Sequence, residues 1–153
     1  MSGEYIRPDS AYMESMRVPA SSRDVLNTSG LPREIALPYG LKFSAYLPVD
    51  HQANSRYLFE YRHGVALLGQ MEGPVYVGLR GDGTVVLVDD EDPKPLFVNS
   101  SVPQFLLALS RFRSLIDHGL TCSWLADAIS EIDPAAMSDD EYYWPTAIFD
   151  MGI

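Results

Sequence analysis

Cysteine is nearly missing from this chain. One is present in 153 residues, Cys122, so no disulfide can close within it. The first twenty residues lack the apolar stretch of a secretory signal. Together these lead to the expectation of a cytoplasmic protein. No apolar run approaches the roughly 18–20 residues of a membrane span, so no membrane role is expected. Repeats and low-complexity tracts are lacking too. The spacings that carry common chemistry are also missing. His51, His63 and His118 never fall into H-x-x-H or H-E-x-x-H order, and no G-x-S-x-G elbow occurs. Gly81-Asp82-Gly83 has neither the Lys-Ser/Thr pair of a phosphate loop nor a strand-to-helix setting, and reads as a hairpin turn. No constellation rises to a catalytic site, and no cofactor or metal is expected.

Positive charge runs short in a patterned way. The formal net charge is −10 and the isoelectric point about 4.5. Residues 1–80 hold 8 acidic and 8 basic side chains; residues 81–153 hold 13 acidic and 3 basic. From Thr121 onward there are 7 acids and no Lys or Arg. Direct binding to nucleic acid is thereby disfavoured, because phosphates are met by Lys and Arg. An acidic surface serves solubility, and it also suits a basic protein partner.

What is present is a globular composition, with 46% hydrophobic and 21% charged residues. Residues 1–29 are expected to be a weakly ordered segment, interrupted by Pro8, Pro19 and Ser21-Ser22, with room for a helical turn or two over Ala11 to Arg17. Residues 30–153 are expected to form one domain. Strands are predicted over 41–47, 57–61, 65–69, 74–79, 84–88 and 96–98. Then Ser101 and Gln104 have the spacing of a capping box, with Pro103 in the first turn. Val102, Phe105, Leu106, Leu109, Phe112 and Ile116 recur at helical spacing, and Gly119 supplies a left-handed cap. Phe105 is expected in the core. Trp124, Leu125, Ala128, Ile129 and Ile132 predict a second helix ending at Asp133-Pro134. Ser138 and Glu141 suggest another capping box, with Pro145 limiting the last helix to a short or kinked one. Strands first and helices last give an α+β fold: a twisted, largely antiparallel sheet packed against C-terminal helices.

Two stretches are candidates for partner contact. Asp89-Asp90-Glu91-Asp92 follows a strand but lacks the alternating ligands and central Gly of a calcium loop, so it reads as a solvated acidic loop or a contact surface. Asp139-Asp140-Glu141 leads into Tyr142, Tyr143 and Trp144. In that stretch Tyr142 and Trp144 are either core of the terminal segment or aromatic anchors rimmed by carboxylates. Cys122, at an apolar helix start, reads as a buried free thiol.

From about Gly30 onward the chain resembles the SUKH (Smi1/Knr4-like) superfamily, and within it the SUKH-4 immunity proteins. The resemblance is carried by Gly30-Leu31-Pro32, Leu68-Gly69, Tyr76-Val77-Gly78-Leu79 with Gly83-Thr84-Val85, and Phe97-Val98-Asn99-Ser100-Ser101 before an apolar helix. Ile132-Asp133-Pro134-Ala135 and Tyr143-Trp144-Pro145 complete it. It implies a SUKH-type α+β fold and a non-enzymatic bacterial protein that binds a cognate polymorphic toxin, often a nuclease or deaminase, as in toxin–antitoxin pairs. It brings no site residues with it. The bets for toxin contact are therefore the two acidic stretches, Asp89 to Asp92 and Asp139 to Trp144, meeting a basic toxin surface. A regulatory module sensing a small ligand is the alternative.

Overall fold

The computed structural model describes residues 5–8, 10–37, 42–45, 65–71, 75–89 and 92–151. A six-stranded antiparallel sheet runs β3 (Glu34–Ala36), β4 (Lys42–Ala45), β5 (Ala66–Gln70), β6 (Val75–Leu79), β7 (Val85–Asp89) and β8 (Asp92–Asn99), in sequence order. Each described strand pairs with its neighbour in the chain, so the sheet is a meander. The expected strand at 57–61 lies outside the described residues. The loop between β6 and β7 closes by Arg80 N–H to Thr84 O, 2.9 Å, and Gly83 N–H to Arg80 O, 2.9 Å. It uses one positive φ, 92° at Gly83, while Asp82 Oδ1 takes the Thr84 N–H at 3.0 Å.

The central strands bury both faces. Val77, Leu79, Val85 and Val98 join the main core, whereas Val65, Leu67, Val86 and Val88 form a second cluster with Tyr76 against it. Side chains alternate across a strand, so a strand buried on both sides reads as an unbroken apolar run. That is why Val85-Val86-Leu87-Val88 shows no polar alternation.

Helix α3 (Val102–His118) follows β8 directly. Val102, Phe105, Ala108, Leu109, Phe112 and Leu115 face the core, and Phe105 meets Phe43 edge-on with ring centres 5.9 Å apart. Ile116, expected on the same stripe, is instead 56% exposed. Gly119 closes the helix in the left-handed conformation at φ 61°, and Leu120 N–H returns to Leu115 O at 3.0 Å. Helix α4 (Cys122–Ile132) starts on Thr121, whose hydroxyl accepts from Trp124 N–H at 3.0 Å, a cap absent from the sequence reading. Cys122 is buried and unbridged. A 3₁₀ turn (Pro134–Met137) and the short helix α5 (Tyr143–Asp150) finish the described chain. Pro145 falls in the first turn of α5, where its ring costs no hydrogen bond. The expected Ser138–Glu141 box does not form. Ser138 Oγ donates to Ala135 O, 2.7 Å, and Asp139 Oδ1 accepts from Glu141 N–H, 2.9 Å.

The N-terminal segment carries more regular structure than a helical turn or two over Ala11 to Arg17. It carries β1 (Tyr5–Ile6), α1 (Ser10–Ser15) and α2 (Ala20–Thr28), and β1 pairs with β2 (Leu31–Pro32). Met13 and Leu26 are fully buried in the main core. Tyr12 OH accepts the Leu67 N–H at 2.7 Å, beside the irregularity in β5–β6 pairing between Leu67 and Gly69. Prolines and serines suggest weak order, but Pro19 only precedes the first turn of α2, and Tyr12, Met13, Val18 and Leu26 are buried in the core. Among the described residues, no helix is long and apolar enough to cross a membrane.

Candidate functional site

The junction of β8, α4 and α5 is built on one buried carboxylate. Asp133, at the end of α4, is 1% exposed and accepts three hydrogen bonds from the β8–α3 turn. Its Oδ2 takes Asn99 Nδ2 at 3.0 Å and Ser100 N–H at 2.8 Å; its Oδ1 takes the Ser100 hydroxyl at 2.7 Å. Asn99 Oδ1 in turn accepts Trp144 Nε1–H at 3.0 Å. Ser101 caps α3 through a long contact to Gln104 N–H, 3.4 Å. The Gln104 side chain does not reach back to the Ser101 N–H. Its Oε1 accepts the Ser101 hydroxyl at 2.7 Å and its Nε2 donates to Ile132 O at 3.2 Å, tying α3 to the end of α4. Buried polar groups are tolerated when fully bonded, and here the bonding fixes three segments far apart in sequence.

Trp144 therefore belongs to the interior. Its indole is fully buried and hydrogen-bonded to Asn99, so it is withdrawn from the candidate contact residues. The helical phase of α5 turns Trp144 and Ala147 inward.

Outside this junction lies an open cleft of about 490 Å³. Its walls are Arg80 after β6, Lys94 and Phe97 on β8, and Asp139, Glu141 and Tyr142 before α5. Tyr142 stacks on Phe97, ring centres 4.7 Å apart at 32°. Asp139, Asp140 and Glu141 are exposed. The sequence reading missed Arg80, Lys94 and Phe97, because nothing local to residues 139–142 announces that β8 runs past them. β8 is the last strand in the sheet order, and Pro93 and Pro95 deny it two N–H groups, which discourages a further strand from pairing there.

The other acidic stretch lies at the β7–β8 connection. Asp89 is half-buried and pairs in register with Asp92, while Asp90 and Glu91 lie outside the described residues. Asp89 ends β7 and Asp92 begins β8, whereas Asp139 to Glu141 precede α5, so these acids are carried by different elements. His51 and His63 also lie outside the described residues; His118 is exposed at the end of α3. Among the described residues no three His, Cys, Asp or Glu side chains are placed to hold a metal. Two titrating groups are displaced. The Thr84 N–H and hydroxyl hold Asp82 below the ordinary carboxylate range, and burial pushes the Tyr143 phenol up. The arrangement offers recognition by charge and ring surface.

Past the cleft, six of the seven acids after Thr121 are exposed; Asp133 is the exception. Phe149 on α5 is 83% exposed among them. No sequence signal but its position on the helix marks it.

No curated protein and no solved structure shows a significant match to the chain. A family model does, over residues 2–150, which takes in the N-terminal helices along with the sheet and the Asn99–Asp133–Trp144 junction. The chain belongs to the SUKH-4 immunity protein family, whose description points to toxin immunity.

Proposed function

We propose that this chain is a non-enzymatic, cytoplasmic immunity protein that neutralises one cognate polymorphic toxin by stoichiometric binding. The family match over residues 2–150 carries the proposal. The charge distribution supports a basic toxin surface as the target, and a nuclease or deaminase as its owner, since enzymes that grip nucleic acid need basic clefts. An acidic partner gains association rate by steering and specificity by charge matching. The exposure of Asp139, Asp140 and Glu141 suits this role, and the stretch from Asp89 to Asp92 is proposed as a second acidic contact. A regulatory, ligand-sensing reading draws on the cleft, where Arg80 and Lys94 face Asp139 and Glu141 over aromatic rings.

The test is association kinetics with the toxin encoded beside this chain's gene. The Debye length is about 8 Å at 0.15 M salt and about 3 Å at 1 M, so steering by exposed carboxylates fades between them. Changing Asp139, Asp140 and Glu141 together to Lys should slow association more than it speeds dissociation. A stoichiometric complex that silences the toxin supports immunity. Failure to bind it, with saturable uptake of a small zwitterion in the cleft, turns the reading to the regulatory module.

A further inference from the structure

The outward side of α5 combines an aromatic ring in solvent with carboxylates that no cation of its own segment answers. Thr146, Phe149 and Asp150 are exposed and stand at helical spacings of three and four, so they share one face. At the N-terminal end of that face, Thr146 Oγ donates to Asp140 O at 3.1 Å and holds the exposed Asp140 beside it. The stripe thus runs Asp140, Thr146, Phe149, Asp150. Phe149 is 83% exposed, the most of the large exposed apolar side chains among the described residues; Tyr5, Leu107 and Ile116 lie between 45% and 56%. Residues 121–153 contain no Lys or Arg, and neither Asp140 nor Asp150 has an ion-pair partner among the described residues.

We propose that this stripe is a docking surface for a Lys/Arg-rich protein face with an apolar recess, with Phe149 entering the recess and Asp140 and Asp150 meeting the cations around it. Charge complementarity selects the occupant. A second acidic copy of this chain would be repelled, and a nucleic acid would be repelled more strongly. An aromatic ring entering a pocket while a charged rim sets the approach is the usual division of labour in protein interfaces. The proposal rests on the immunity reading above, in that it takes the basic partner to be the toxin. It replaces Trp144 with Phe149 as the aromatic anchor.

The experiment measures binding of the full chain to the purified, catalytically inactivated toxin domain encoded beside it, for wild type, Phe149→Ala, the pair Asp140→Lys with Asp150→Lys, and Leu107→Ala on α3 as an exposed apolar control. Phe149→Ala should raise the dissociation rate about tenfold or more, leaving the melting temperature unchanged. The charge pair should lower the association rate and flatten its salt dependence. Leu107→Ala should do neither. Tight wild-type binding that both α5 variants leave unchanged overturns this surface and leaves the immunity reading standing. Absence of wild-type binding overturns the immunity reading, and this surface with it.

Discussion

Trp144 and Phe149 sit five positions apart on one short helix, yet the first is fully buried and the second is 83% exposed. Asp133 and Asp140 make the same contrast a few residues earlier. The inner members hold three segments together through Asn99 and Ser100. The outer members contribute nothing visible to packing. Residue type does not separate the two sets; the phase of α5 and the end of α4 do. Under the proposed docking surface, fold maintenance and partner recognition are divided between the two sides of one element, and each side is expected to tolerate change with little effect on the other.

The sharpest way to break that division is from the inside. Trp144→Ala should cost about 3–5 kcal/mol, from the lost ring and the unpaired Asn99 oxygen. Asp133→Ala should cost about 3 kcal/mol or more, because the buried Asn99 amide and the part-buried Ser100 N–H and hydroxyl would be left with unmet donors. Urea melts check both, and Phe149→Ala in the same series should fall within about 0.5 kcal/mol of wild type. A Trp144→Ala variant as stable as wild type would erase the contrast.

Smaller effects sharpen it. Ser101→Ala should cost about 1 kcal/mol, by losing the cap and the hydrogen bond to Gln104 Oε1. Tyr143→Phe should be near neutral around pH 8, since its hydroxyl is buried with no partner among the described residues. The phenol is raised in the folded state, so its stabilising contribution is complete below the unfolded value of about 10 and is lost as pH rises through the folded one. Wild type should lose stability from pH 9 to 11 more steeply than Tyr143→Phe, by urea melts across that range.

Much of the fold is legible because its signals are local. Ser101, Pro103 and Gly119 mark the ends of α3, and its apolar stripe places Phe105 inside. Three of the motifs that carry the SUKH resemblance turn out to have a shared physical reason. Asn99-Ser100, Asp133 and Trp144 are one hydrogen-bonded unit, 34 and 45 residues apart in the pairs that join them. No window of sequence shows such a unit, so sequence alone leaves Trp144 open as an anchor. The N-terminal helices are hidden for a related reason. They are short and weakly periodic, and they are held by burial of Met13 and Leu26 in a core formed by distant strands. The cleft is illegible in both walls, because Arg80 and Lys94 join Asp139 and Glu141 only through the pairing of β6, β7 and β8.

The most direct measurement is hydrogen exchange of the free chain against its complex with the neighbouring toxin. The account predicts new protection over 139–151, with the amides of 99–101 and 133 already slow in the free chain and little changed. Protection that appears elsewhere, on β1 to β3 or along α3, with 139–151 exchanging as in the free protein, would contradict it.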